Sequence, residues 1–175
     1  LGEPDEAIAS YAPALADVPD DRAVLVALHR LYRQSGAWAA LAELLPRRIA
    51  APDVSPTERV ELHVELGGVL ADQLARTGDA IRAYRAALAD EPEHSVAFKA
   101  LAELYRATGQ TEALLDADEA QVDATDRATR LARDAELAEA WRSRGRGDRA
   151  AACWRKLVAI DAESAIALRA VAGAL

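Results

Sequence analysis

Side chains able to do chemistry are present in this chain, but their spacing does not gather them for it. His29, His63 and His94 are far apart, and no HxxxH or paired spacing puts two metal ligands on one helical turn. Cys153 is the single cysteine, which excludes an internal disulfide and a cysteine metal cluster. In an apolar helical pattern it reads as a small core residue. There is no glycine-rich phosphate loop and no nucleophile elbow, and the many carboxylates show no dedicated acid–base pairing. The expectation is a non-catalytic chain with no cofactor and no metal.

Two charged clusters stand out. Arg142, Arg144, Arg146 and Arg149 form the sharpest basic run, and Arg146-Gly147-Asp148 within it matches an integrin-type tripeptide. The Gly-Asp pair recurs at Gly78-Asp79, between two helical patterns, so turn chemistry is the expected role. Glu112, Asp116, Asp118, Glu119 and Asp123 share an acidic helical face. A solvated face is the expectation there, with a basic partner as the alternative. A net charge of -8 and the lack of an aromatic platform argue against nucleic acid.

The elements that hold these residues are helices. The 175 residues are 51% hydrophobic and 29% charged, which suits a folded chain, with only 5% aromatics. Alanine is abundant, and no alternating apolar strand of useful length occurs. Apolar periodicity predicts helices over 3–17, 22–35, 37–50, 57–77, 79–90, 95–108, 111–124, 127–144, 149–161 and 164–175. Pro13 and Pro46 predict kinks, Asp20-Asp21 and Ser55 supply N-caps, and Gly36 closes a C-terminus. Gly67-Gly68 inside the fourth helix predicts close helix–helix approach, with a hinge as the alternative. No apolar run is long enough to insert into a membrane.

The chain also repeats itself. Ala7, Ile8, Tyr11, Ala14, Leu15, Asp17 and Pro19 recur as Ala80, Ile81, Tyr84, Ala87, Leu88, Asp90 and Pro92. Ala27, Leu28, Leu31, Tyr32, Arg33 and Gly36 recur as Ala100, Leu101, Leu104, Tyr105, Arg106 and Gly109. Ten helices then pair into antiparallel hairpins, and a short hairpin alternates with one whose leading helix is long.

These hairpins resemble the tetratricopeptide repeat (TPR). Leu25, Leu28, Tyr32 and Gly36, and again Phe98, Leu101, Tyr105 and Gly109, fit its helix A. Ala80, Tyr84, Ala87 and Pro92 fit its helix B, as do Ala7, Tyr11, Ala14 and Pro19; Ala150, Trp154 and Leu157 fit more loosely. The resemblance implies an all-α, right-handed superhelical solenoid of about ten antiparallel helices. On that reading 1–21 is helix B of a preceding repeat, and repeats follow over 22–56, 57–94, 95–126 and 127–164. Residues 165–175 begin the next helix A.

In the family, helix A lines a concave groove for peptides or partner helices. The residues carried onto that face are Val26, Arg30, Arg33 and Gln34, then Glu61, Val64, Gly68 and Asp72, then Lys99, Glu103 and Arg106. With no Asn in the chain, and Arg30 answered by Glu103, the subtype that clamps a C-terminal carboxylate with Lys and Asn is not expected. The function implied is a protein–protein interaction scaffold. The alternatives are a spacer that self-associates end to end through uncapped termini, and a regulatory arm of a larger protein. The missing initiator Met predicts a processed chain or an excerpt. One cysteine and no visible export signal favour the cytoplasm without fixing the compartment.

Overall fold

The computed structural model describes residues 10–11, 21–123 and 127–160, without the side chains of 120–131 and 160. The expected helix over 164–175, most of that over 3–17 with Pro13, and the side chain of Asp123 lie outside the described residues. Ser10 and Tyr11 are helical. Eight α-helices follow: α1 Arg22–Ser35, α2 Trp38–Ala50, α3 Pro56–Gly68, α4 Thr77–Asp90, α5 Ser95–Ala107, α6 Thr111–Asp123, α7 Arg127–Ser143 and α8 Gly147–Ile160. Every element among the described residues is helical. Contacts divide the chain into two units, Leu1–Leu101 and Ala102–Leu175.

In the first unit, α1 packs on α2, α2 on α3 and α3 on α4. The helix ends are written in the sequence. Asp21 caps α1, its carboxylate accepting from the N–H groups of Ala23 (2.8 Å) and Val24 (3.2 Å). Ser55 caps α3 by accepting from Glu58 N–H at 3.1 Å, with Pro56 opening the first turn. The apolar stripes meet inside: Leu25 and Leu28 of α1, Leu41, Leu44 and Leu45 of α2, Val60 and Leu62 of α3, and Ala80, Tyr84 and Ala87 of α4 are all buried. α2 runs unbroken through Pro46.

The expected long helix over 57–77 is not uniform. Its α-helical part ends at Gly68 and passes into a π-helical turn, Val69–Gln73. Leu74 N–H bonds to Val69 C=O (3.2 Å) and Arg76 N–H to Leu70 C=O (2.7 Å) around Ala75, which has φ +53°. Here α4 also begins two residues earlier than the pattern predicts, so Gly78-Asp79 lies in its first turn and not in a loop. Just before the π-turn, the two helices touch at Gly67. A Cβ there would lie 2.7 Å from the ring of Tyr84, so only glycine admits the aromatic side chain at this depth. Close approach is therefore the role of Gly67.

In the second unit, α7 packs on α6 and on α8. Leu115, Leu137, Ala138, Trp141, Ala150, Cys153, Trp154 and Leu157 form one buried cluster. Cys153 is a small core residue, as its pattern predicts. The guanidinium of Arg149 lies 4.6 Å from the Trp141 ring centroid, and that of Arg146 lies 5.8 Å away.

One closing device is used three times. Tyr32, Tyr105 and Trp141 each stand four residues before a left-handed glycine: Gly36 (φ 71°), Gly109 (φ 69°) and Gly145 (φ 74°). The next residue's N–H returns to the aromatic residue's carbonyl, from Ala37 (2.9 Å), Gln110 (2.9 Å) and Arg146 (3.0 Å). The π-turn after α3 is the variant of this closure. It has an extra residue and an alanine where the others have glycine.

Candidate functional site

An open groove of about 510 Å³ lies on the first unit, lined by Val26, His29, Arg30, Arg33, Gln34 and Arg48. Helix α1 supplies five of these. Val26, His29, Arg30 and Arg33 recur at helical spacing, so they lie along one stripe beside the buried Leu25 and Leu28. Arg48 reaches in from the last turn of α2.

A chain of charge-assisted hydrogen bonds stiffens the floor. Arg48 donates through Nη2 to Glu58 Oε1 at 2.7 Å and through Nη1 to His29 Nδ1. A guanidinium has no acceptor, so His29 Nδ1 must accept and its Nε2 carries the proton. That Nε2–H donates to Glu65 Oε1 at 2.9 Å. The same Glu65 oxygen lies 3.7 Å from Arg33 Nη1, a looser pairing. Arg48, His29 and Glu65 are largely buried, with 11%, 13% and 24% of their side chains exposed. The hydrogen bond from His29 holds the Glu65 carboxyl below its ordinary range; the charges of Arg33 and Arg48 add to this and burial opposes it. His29 thus bridges two charged groups.

The rim is different. Arg30, Arg33, Gln34 and Val26 are exposed, and among the described residues Arg30 has no ion-pair partner. The arrangement can present hydrogen-bond donors and positive charge beside an apolar patch, and nothing in it resembles a nucleophile with its base. Among the described residues no cluster of three His, Cys, Asp or Glu side chains could hold a metal.

The structure therefore brings Val26, Arg30, Arg33 and Gln34 together. Glu61 (exposed) and Val64 (half-buried) of α3, Asp72 on the π-turn and Lys99 of α5 do not line this groove. Glu103 and Arg106 are exposed on the part of α5 that belongs to the other unit. Sequence reasoning missed Arg48, Glu58 and Glu65. Glu65 lies one turn beyond Glu61 on α3, a signal that could have found it; Arg48 had none.

The acidic and basic clusters of the second unit answer each other. Lys156 pairs with Glu119 (3.0 Å) and Arg149 with Asp116 between α6 and α8, and Arg146, the residue before α8, pairs with Glu112 (2.8 Å). The acidic face is thus partly an internal partner surface, not wholly a solvated one. Arg146 also reaches Asp148 at 3.5 Å, and Gly147 already begins α8, so the Arg-Gly-Asp tripeptide is a helix start. A smaller cavity of about 150 Å³ is lined by Leu115, Asp118, Arg133, Glu136, Leu137 and Ala140. Burial there pushes the Asp118 carboxyl up, against the charges of Arg133 and Arg106.

Antiparallel helix pairs, closed by an aromatic and a glycine and seated through small residues of the second helix, decide the fold. The chain has a tetratricopeptide-repeat fold. YrrB, a TPR protein with an unusual peptide-binding site, superposes with a TM-score of 0.51, covering 96% of this chain and 83% of its own, at 15% identity. Two structures of MamA superpose with TM-scores of 0.52 and 0.51 at 21% identity, covering 94% of this chain and 86% and 92% of theirs. No family model and no curated protein matches the sequence. At these identities the likeness is one of TPR fold. Among the described residues no helix is long and apolar enough to cross a membrane.

Proposed function

We propose that the chain is a non-catalytic interaction scaffold that holds a peptide or a partner helix in the groove of α1 and α2. The observation that carries this is the lining itself: four side chains picked for their place on helix A share one open groove with His29 and Arg48. YrrB, similar in fold, is a TPR protein with a peptide-binding site, which supports the same reading. Repeats over 22–56, 57–94, 95–126 and 127–164, stacked as a right-handed superhelix, belong to the proposal. So does the extension of the surface to Glu61, Val64, Asp72, Lys99, Glu103 and Arg106.

A random peptide array tests it. Arg30→Glu with Arg33→Glu should erase the peptides retained by the unaltered chain, with helical content and melting unchanged because both side chains are exposed. Lys99→Glu with Arg106→Glu asks the same of the extension. An identical array pattern for the Arg30/Arg33 variant would remove the groove as the binding surface.

A further inference from the structure

The groove is basic on an acidic chain. Arg30 and Arg33 stand on its rim, while the whole chain carries a net charge of -8. Arg48 is committed below, to Glu58 and His29. The two carboxylates that reach the lining are therefore not equivalent. Glu58 is tied to the buried guanidinium, whereas Glu65 is the only carboxylate that the described contacts give Arg33.

The geometry of that last pair is distinctive. Glu65 Oε1 already accepts a 2.9 Å hydrogen bond from His29, and Arg33 stands off at 3.7 Å with 69% of its side chain exposed. If Arg33 turns outward, Glu65 keeps its stronger partner and no buried polar group is orphaned. Arg33 can thus be withdrawn by an incoming anion at little cost, while Arg30 offers a first point of attraction without giving anything up. Val26, 43% exposed, supplies an apolar contact one turn before Arg30.

We propose that this groove takes a peptide segment carrying Asp or Glu side chains next to an apolar residue, and that Glu65 is a built-in competitor for Arg33 that sets its affinity. The proposal rests on the groove being the binding surface. The ligand's carboxylates bridge Arg30 and Arg33, its apolar side chain lies on Val26, and Glu65 stays with His29.

Fluorescence anisotropy with three labelled, C-terminally amidated peptides tests this: alternating Glu–Leu, Gln–Leu and Lys–Leu. Amidation removes the terminal carboxylate, so that only side chains are read. The unaltered chain should bind Glu–Leu at least about tenfold more tightly than Lys–Leu, since like charges in a groove are strongly disfavoured. Glu65→Gln keeps an acceptor for His29 and removes the competing charge, so it should tighten Glu–Leu about twofold to fivefold, the scale of an exposed ion pair. It should leave Gln–Leu unchanged. Glu43→Gln, which removes the same charge from an exposed position on α2, should leave all three unchanged. Circular dichroism and melting confirm that each variant is folded.

A preference for Lys–Leu, no binding of Glu–Leu, no tightening by Glu65→Gln, or equal tightening by Glu43→Gln overturns the proposal. If that happens while Arg30→Glu with Arg33→Glu still erases peptides on the array, the groove stands and only its acidic ligand is lost. If the array too is unmoved, the groove itself falls.

Discussion

Three side chains show how surroundings shift an ionisable group from its ordinary state. Cys153 is wholly buried between α7 and α8, and burial, with smaller contributions from Glu119 and Asp134, pushes its thiol up to about 11. The thiolate is the reactive form, so a disulfide reagent at pH 8 should modify the native chain very slowly and the urea-unfolded chain at once. Equal rates would contradict the burial. Glu65 and Asp118 shift in opposite directions and should respond oppositely to pH. Glu65 sits below its ordinary value of 4.5, so its contribution to stability is present above that value and is lost as pH falls through the folded pKa. Asp118 sits above its ordinary value of 3.8, so its ionisation opposes folding as pH rises through the raised pKa. Asp118→Asn should therefore raise the urea midpoint at pH 7 and lose that advantage below about pH 3.8. A lower midpoint at pH 7 would show that the carboxylate is held by its arginine neighbours more than it is penalised by burial.

Among the elements, the α3–α4 hairpin is the least regular and the most tightly closed. Tyr84 lies against Gly67, and the π-turn follows immediately. In an ordinary helix interior, Gly→Ala gains about 1 kcal/mol. Here the new methyl would meet the Tyr84 ring within 2.9 Å, and overpacking of this kind costs about 1–3 kcal/mol. Gly67→Ala should thus be destabilising on balance, and Gly67→Ala with Tyr84→Leu should cost less than the sum of the two single changes. Additive costs in a urea-unfolding cycle would mean that the helices separate freely. Gly68, whose Cβ would lie 3.7 Å from the Tyr84 hydroxyl, is the built-in control.

Over the whole molecule, apolar packing and not the ion-pair ladder holds the helices together. The pairs of Glu112 to Arg146 and of Asp116 and Glu119 to α8 are conspicuous, yet the Glu112 and Asp116 side chains are 59% and 51% exposed. Glu112→Gln and Asp116→Asn should each cost less than about 1 kcal/mol. Leu41→Ala or Leu45→Ala, at positions with no exposed surface, should each cost about 2–5 kcal/mol. Urea unfolding compares them directly, and an inverted order would make the charged ladder the main support.

Much of this was legible in the chain. Periodicity placed α1 residue for residue, because Asp21 and Gly36 bound it with unambiguous cap chemistry. Gly67 could be read as a close approach, and Cys153 as core, because each rests on local pattern. Membership of Val26, Arg30, Arg33 and Gln34 in one surface was also readable, since residues at helical spacing share a face wherever the helix goes. The π-turn was hidden, because one extra residue leaves the apolar pattern of 57–77 almost intact. So were the partners across the groove. His29 meets Glu65 across 36 residues and Arg48 across 19, and the acidic face of α6 meets Arg146 and Arg149 across more than 30. The sequence by itself determined the helices, their caps and their outward stripes, all set by interactions within a few residues. Only the tertiary structure decided which charges neutralise each other and which, like Arg30, are left facing out, because that depends on which helices pack side by side.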